Sequence, residues 1–254
     1  EGGGTKFICA VGTGPGDIRA EARFPTTSPD ETLDRAIDFF KHQESTLGKL
    51  TALGMASFGP IDPRLGSQTY GHIMLTPKPG WSDADMVSKL KSAFAIPVGF
   101  DLDVNAAALS EWRWGALKDC NPAVYITVGT GIGGGIMVDG HLIHGLLHPE
   151  MGHVLLPHDR DADPFPGGCP FHGDCFEGLA TGPAMEKRWG QKAETLPPDH
   201  PAWALEAHYI SMALAGYIYT LSPERIVLGG GVMEQAQMFP LIRSEVKAIL
   251  NRYL

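Results

Sequence analysis

The chain has 254 residues, 43% hydrophobic and 19% charged, with a formal net charge of −9; such a chain can bury a substantial core as one large domain or two smaller ones around a cleft. The acidic balance and the lack of any basic run exclude a nucleic-acid role resting on a general positive field, and no apolar run reaches the roughly 18 residues of a membrane helix. The opening Glu1-Gly-Gly-Gly-Thr-Lys has neither the charged nor the apolar region of a signal peptide, so the cytoplasm is the expected compartment.

In chain order, Gly2-Gly3-Gly4-Thr5-Lys6 predicts a glycine turn feeding a strand at Phe7–Val11. A chain seldom opens on such a turn, and residues are expected ahead of Glu1. Ser28-Pro29-Asp30-Glu31 reads as a helix start, with Ser28 as N-cap, Pro29 in the first turn and Glu31 closing a capping box. Leu33, Ile37 and Phe40 then repeat at helical spacing. Thr51–Ser57 is a buried strand ending in the turn Phe58–Pro63. An amphipathic helix is expected over Asp83–Phe94, a strand over Ile96–Phe100 and a helix over Asp103–Leu117. Ala123–Val128 and Gly135–Val138 are expected to form a hairpin across a glycine turn. After a loop rich in His, Asp, Pro and Cys come helices near Ala180–Trp189 and Ala202–Leu221. A strand at Arg225–Leu228, a turn at Gly229–Gly231 and a last helix from Val232 complete the pattern. Strands alternate with helices, so the class is α/β.

Three glycine runs lie at predicted strand ends: Gly2–Thr5, Gly129–Gly135 and Gly229–Gly231. Glycine there lets backbone N–H groups approach a phosphate closely. The Walker pattern is absent. Gly129-x-Gly131-x-x-Gly134 fits the dinucleotide pattern only literally, because a strand follows where that motif needs a helix. Asp103-Val104-Asn105 stands where a strand gives way to a helix. An N-cap is one reading of Asp103; a carboxylate that takes a proton from a hydroxyl during phosphoryl transfer is the other. Cys9 and Cys120 read as buried thiols. Cys169-x-x-His172-x-x-Cys175 has the spacing of zinc ligands on one loop, and His153 or His158 would supply the fourth. As isolated residues, Glu150 and Glu177 read as surface charge.

Taken together, these segments resemble the ROK family (repressor, open reading frame, kinase), and within it the bacterial fructokinase branch. Glu1-Gly-Gly-Gly-Thr-Lys is similar to the family's first phosphate loop, with Glu1 where Asp is usual. Asp103-Val104-Asn105 resembles its Asp-x-Asn segment, Thr127–Gly135 its second phosphate loop, and Gly229-Gly230-Gly231-Val232 its turn near the nucleoside. Glu150-Met151-Gly152-His153 matches Glu-x-Gly-His, and Cys175-Phe176-Glu177 the Cys-x-Glu that closes a zinc loop.

The resemblance implies a two-lobed actin-like sugar kinase fold. Residues 1–105 would form the lobe carrying phosphate loop 1 and the catalytic Asp at the cleft, and residues 106–254 the lobe carrying the remaining motifs. It implies Asp103 as base, with Asn105, Glu150, His153 and Glu177 on the sugar. ATP·Mg²⁺ would lie on Gly3, Gly4, Thr5, Lys6, Thr130, Gly131, Gly133, Gly229, Gly230 and Gly231. A structural Zn²⁺ would be held by His153, Cys169, His172 and Cys175, with His158 as the rival of His153. A homodimer is expected, as is a further helix beyond Leu254. D-fructose is the implied substrate, because Cys-Pro-Phe-His-Gly-Asp-Cys, Thr-Pro-Lys78-Pro-Gly-Trp and Leu102 all resemble the fructokinase branch. Glucose, mannose or an N-acylhexosamine is the alternative within the family. A sugar-sensing ROK-type regulator is the alternative of another class, and the retained Asp103 speaks against it.

Overall fold

The computed structural model describes residues 1–254. The chain divides into two compact units, Glu1–Ala107 with His144–His148, and Ala108–Ile143 with Pro149–Leu254.

In the first unit, β1 (Lys6–Gly14) pairs antiparallel with β2 (Asp17–Pro25). The strand β2 is absent from the sequence expectation, although Ile18, Ala20, Ala22 and Phe24 alternate with Arg19, Glu21 and Arg23 at the strand period. Helix α1 (Pro29–Leu47) is capped as expected: Glu31 N donates to Ser28 Oγ at 3.4 Å. The Glu31 carboxylate, however, accepts from Arg35 one turn on. Strands β3 (Leu53–Ser57) and β4 (Val98–Leu102) pair in parallel. Between them, helix α2 covers only Val87–Ala93 of the expected Asp83–Phe94. Asp83 has a φ of 64°, and Asp85 Oδ1 accepts from the N–H groups of Val87 and Ser88, so the chain is turned until that point. Phe7, Leu33, Ile61, Ile73, Trp81, Met86, Leu90 and Leu102 are among the side chains that fill this core.

The loop from Phe58 to Asp85 has no regular element, and Asp62 organises part of it. Its buried carboxylate accepts from Arg64 Nε and Nη2 at 2.8 Å, Ser67 Oγ at 2.6 Å and Thr69 Oγ1 at 2.7 Å. Chiefly through the Arg64 guanidinium, its carboxyl is held far below the usual range. A depressed carboxyl stabilises the fold above the ordinary carboxylate pKa and ceases to do so as pH falls through the folded value. Asp62→Ala should therefore destabilise the protein by about 2 to 3 kcal/mol at neutral pH, read as a lowered urea midpoint. A midpoint within error of wild type would remove Asp62 from this role.

In the second unit, helix α3 (Asp103–Trp114), which begins in the first, leads to β5 (Ala123–Val128). The four-stranded sheet has the order β7–β6–β5–β8, with β6 at Ile132–Val138, β7 at His141–Leu142 and β8 at Arg225–Gly229. β5 pairs antiparallel with β6 and parallel with β8, so the turns after β5 and β8 open at the same sheet end. The helices are α4 (Phe176–Leu179), α5 (Gly182–Trp189), α6 (Ala202–Leu221) and α7 (Met238–Leu250). The last helix does not start at Val232 as the sequence suggested. Gly231–Glu234 forms one 3-10 turn before α7 begins at Met238. α6 is apolar nearly all round and correspondingly buried on most sides, with Trp203, Ile210, Leu214 and Tyr217 in the core. No helix is long and apolar enough to cross a membrane.

Candidate active site and metal centre

The first glycine turn is tied down by backbone bonds and keeps its tip open. Gly2 N donates to Ala56 O at 2.6 Å and Phe58 N to Gly2 O at 2.7 Å, which stitches the turn to the end of β3. Thr26 Oγ1 donates to Gly3 O at 2.7 Å. Thr5 and Lys6 are exposed beyond these anchors.

Asp103 opens α3 directly after β4, and its Oδ1 accepts from Val104 N at 2.8 Å. Burial raises its carboxyl to about 6, with the negative charge of Glu1 adding to the rise. A carboxyl raised toward neutrality can exchange a proton in that range, in addition to accepting from the helix backbone. Asn105 is fully buried, and its Nδ2 donates to Asp101 Oδ1 at 2.7 Å. Asp101 Oδ2 in turn lies 2.9 Å from His144 Nε2. Neither Asp101 nor His144 is among the residues expected from the sequence, since only the fold brings His144 back over 39 residues to Asn105.

In the second unit the other two glycine runs sit side by side, and a Cβ on Gly129 would come within 3.7 Å of Gly231 N. Gly230 has a φ of +92°, and a Cβ there would meet Val128 O at 2.4 Å, so no other residue fits. Gly129 N donates to Gly131 O at 2.9 Å and Gly182 N to Gly129 O at 3.0 Å. A pocket of about 360 Å³ opens here, lined by Thr130, Pro183, Glu186, Lys192, Gly231 and Gln235 among others. Of these, the sequence reading reached only Thr130 and Gly231.

His153, Cys169, His172 and Cys175 converge, with one ligand atom from each lying within 4.8 Å of all the others. Cys169 Sγ lies 3.8 Å from His153 Nδ1 and 3.7 Å from His172 Nδ1, and Cys175 Sγ lies 3.6 Å from His153 Nδ1. A tetrahedral zinc with Zn–S near 2.3 Å and Zn–N near 2.0 Å separates sulfur and nitrogen ligands by about 3.5 Å, so the donor set and its spacing fit that ion. Burial holds the Cys175 thiol above its ordinary range, a tendency that a bound cation would reverse by taking the thiolate. The four cysteines are unbridged.

His158 stands apart from the cluster. Its Nδ1 lies 3.0 Å from Asp174 Oδ2 and its Nε2 2.9 Å from Asp163 O, so both ring nitrogens are engaged in holding the loop. His153 points Nδ1 at the sulfurs, while its Nε2 lies 4.0 Å from Glu150 Oε2. One ring therefore faces the two sulfurs with one nitrogen and Glu150 with the other. Tyr217 donates its hydroxyl to Met151 O and pins this segment to α6. Glu177 Oε2 accepts from Ile132 N at 3.0 Å, placing it on the second glycine turn.

Comparison with known proteins identifies the family of the chain. The sequence model described as ROK family matches residues 1–254. The fructokinase of Zymomonas mobilis subsp. mobilis is 46% identical over 261 aligned residues, covering 100% of this chain and 85% of its own length. The fructokinase of Lactococcus lactis subsp. cremoris is 44% identical over 254 residues, covering 100% and 85%. Among solved structures, the ROK hexokinase of Thermus thermophilus superposes with a TM-score of 0.81 at 26% identity, over 98% of this chain and 86% of that one.

Proposed function

Because this chain belongs to the ROK family, with its actin-like α/β fold, we propose that it carries out the phosphorylation for which its fructokinase relatives are named. It is an ATP-dependent hexose kinase, and D-fructose is its substrate, converted to fructose 6-phosphate. The observation that carries the mechanism is Asp103, a carboxyl raised by burial to about 6 at a strand-to-helix junction.

In this reading, the 6-hydroxyl oxygen of the sugar attacks the γ-phosphorus of ATP·Mg²⁺. The bond to the β,γ-bridging oxygen breaks, ADP departs, and the hydroxyl proton passes to a carboxylate oxygen of Asp103. Backbone N–H groups of Gly3, Gly4, Thr5, Thr130, Gly131 and Gly133, with the Lys6 ammonium, offset charge on the phosphoryl oxygens. The pocket beside Gly229, Gly230 and Gly231 takes the nucleoside. Asn105, Glu150, His153 and Glu177 orient the sugar hydroxyls. His153, Cys169, His172 and Cys175 would hold a zinc ion, which would supply a fixed cross-link rather than a reactive centre. The protein works in the cytoplasm as a homodimer; sedimentation at enzyme concentrations used for assay tests the latter.

Substrate choice follows from unpaired polar groups: a site that bonds a given hydroxyl penalises any sugar lacking it there. Leu102, next to Asp103, is buried in the first unit's core against Gly59 and offers no such bond. Fructose should show a kcat/KM at least about tenfold above glucose, a transition-state difference near 1.4 kcal/mol. A coupled ADP-release assay over fructose, mannose, glucose, N-acetylglucosamine and N-acetylmannosamine decides it. Turnover fastest on glucose or an N-acylhexosamine would overturn fructose and leave the kinase.

A further inference from the structure

Two loops far apart in sequence meet at the single residue Ile132. Its N–H donates to Glu177 Oε2 at 3.0 Å, and a Cβ on Gly131 would stand 3.0 Å from the same oxygen. On its other side, a Cβ on Gly152 would meet Ile132 O at 2.0 Å, so the Gly152 backbone lies directly against that carbonyl. Glu177 is two residues from Cys175, and Gly152 immediately precedes His153. Both of these contacts to Ile132 thus come from residues flanking ligands of the His/Cys cluster. The two arms are also bonded to each other, with Phe176 N donating to Val154 O at 2.9 Å. Met151 closes the same side, since a Cβ on Gly134 would meet its Sδ at 2.5 Å.

A carboxylate beside a phosphate cradle is electrostatically unfavourable, so its place there calls for a compensating function. The carbonyl of the Gly131–Ile132 peptide accepts from Gly129 N at 2.9 Å; by accepting from Ile132 N at the other end of the same peptide, Glu177 completes the hold on its plane within a glycine-rich run. N–H groups already aimed at an anion bind it more tightly than groups that must be ordered on arrival. We propose that Glu177 is a positioning residue for the second glycine turn, and that cation occupancy of the His153/Cys169/His172/Cys175 cluster sets nucleotide affinity through it. This rests on reading that turn as a phosphate cradle. When the cation leaves, Cys175 and His153 lose their common partner, and the arms carrying Glu177 and Gly152 loosen together.

The test needs no sugar and no turnover. The dissociation constant of ADP is measured by calorimetry, and exchange of the Ile132 amide by hydrogen–deuterium exchange. Glu177→Ala should raise the dissociation constant at least about tenfold and speed Ile132 exchange at least about tenfold. Glu177→Gln keeps an oxygen that accepts from Ile132 N and should bring both within about threefold of wild type. Wild-type protein stripped of metal should behave like Glu177→Ala. Glu177→Asp, one methylene short, gives the same answer if the alanine variant does not fold. Unchanged ADP binding and Ile132 exchange in Glu177→Ala would leave Glu177 to the sugar alone, and unchanged values after chelation would break the link to the metal. Wild-type protein that bound no ADP would sink the kinase reading, while Ile132 exchange would still decide whether Glu177 holds the turn.

Discussion

Asp103→Asn should lower kcat by a factor on the order of 10² or more while leaving the fold and the sugar KM close to wild type. The asparagine side chain is nearly isosteric and can still accept from Val104 N, as Asp103 does at 2.8 Å. What it cannot do is receive the proton of the attacking hydroxyl. A helix cap of this kind tolerates Asn well, so a merely structural role predicts almost no kinetic change. The pH profile gives a second reading of the same residue. The base works ionised, and burial raises its carboxyl to about 6, so kcat/KM should fall as pH drops through about 6 and level off above it. The Asn variant should lose that limb. Near-normal kcat in Asp103→Asn, or an acid limb that survives the substitution, would return Asp103 to the cap.

Replacing a ligand of the His/Cys cluster should have the other large effect. Wild-type protein should hold about one zinc per chain, four-coordinate, with Zn–S distances near 2.3 Å. Cys175→Ser should lose the zinc and about 3 kcal/mol of stability, a fall in Tm of about 10 °C for a chain of this size. The effect should be that large because Cys175 is wholly buried at the start of α4, where Phe176 enters the main core of the second unit. Activity should fall with it, since His153 takes its orientation from the same site. Fully active protein containing no metal, or a Cys169–Cys175 disulfide, would end this assignment.

Features carried by local chemistry were the legible ones. The N-cap Ser28, the long apolar helix Ala202–Leu221 and the three glycine turns each announce themselves within a few residues. The His/Cys cluster did so in part, because Cys169, His172 and Cys175 lie within one short loop. Choosing His153 over His158 took tertiary structure, as both histidines precede the loop at plausible distances. In the structure His153 stands within the His/Cys cluster, whereas both His158 nitrogens are engaged elsewhere. The Asp101–His144 pair and the Ile132–Glu177 bond were illegible for the same reason: each joins residues more than 40 positions apart. The misplaced start of α7 has a different cause. Val232 and Met233 are apolar and buried, as a helix face would be, but one 3-10 turn suffices to bury them.

Gly230 has a consequence for how such a sequence can diverge. Its positive φ and the Val128 carbonyl oxygen 2.4 Å from any added Cβ act independently, so relieving one leaves the other in force. A single substitution there meets both at once, and no stepwise path through alanine or serine avoids them. Gly14 and Gly16, by contrast, would have nothing within 4 Å of an added Cβ and have no positive φ, so nothing in the fold resists drift at these positions. Across descendants of this sequence the glycines should thus separate into two populations by neighbourhood alone, with position 230 among those that never change while the turn keeps its shape.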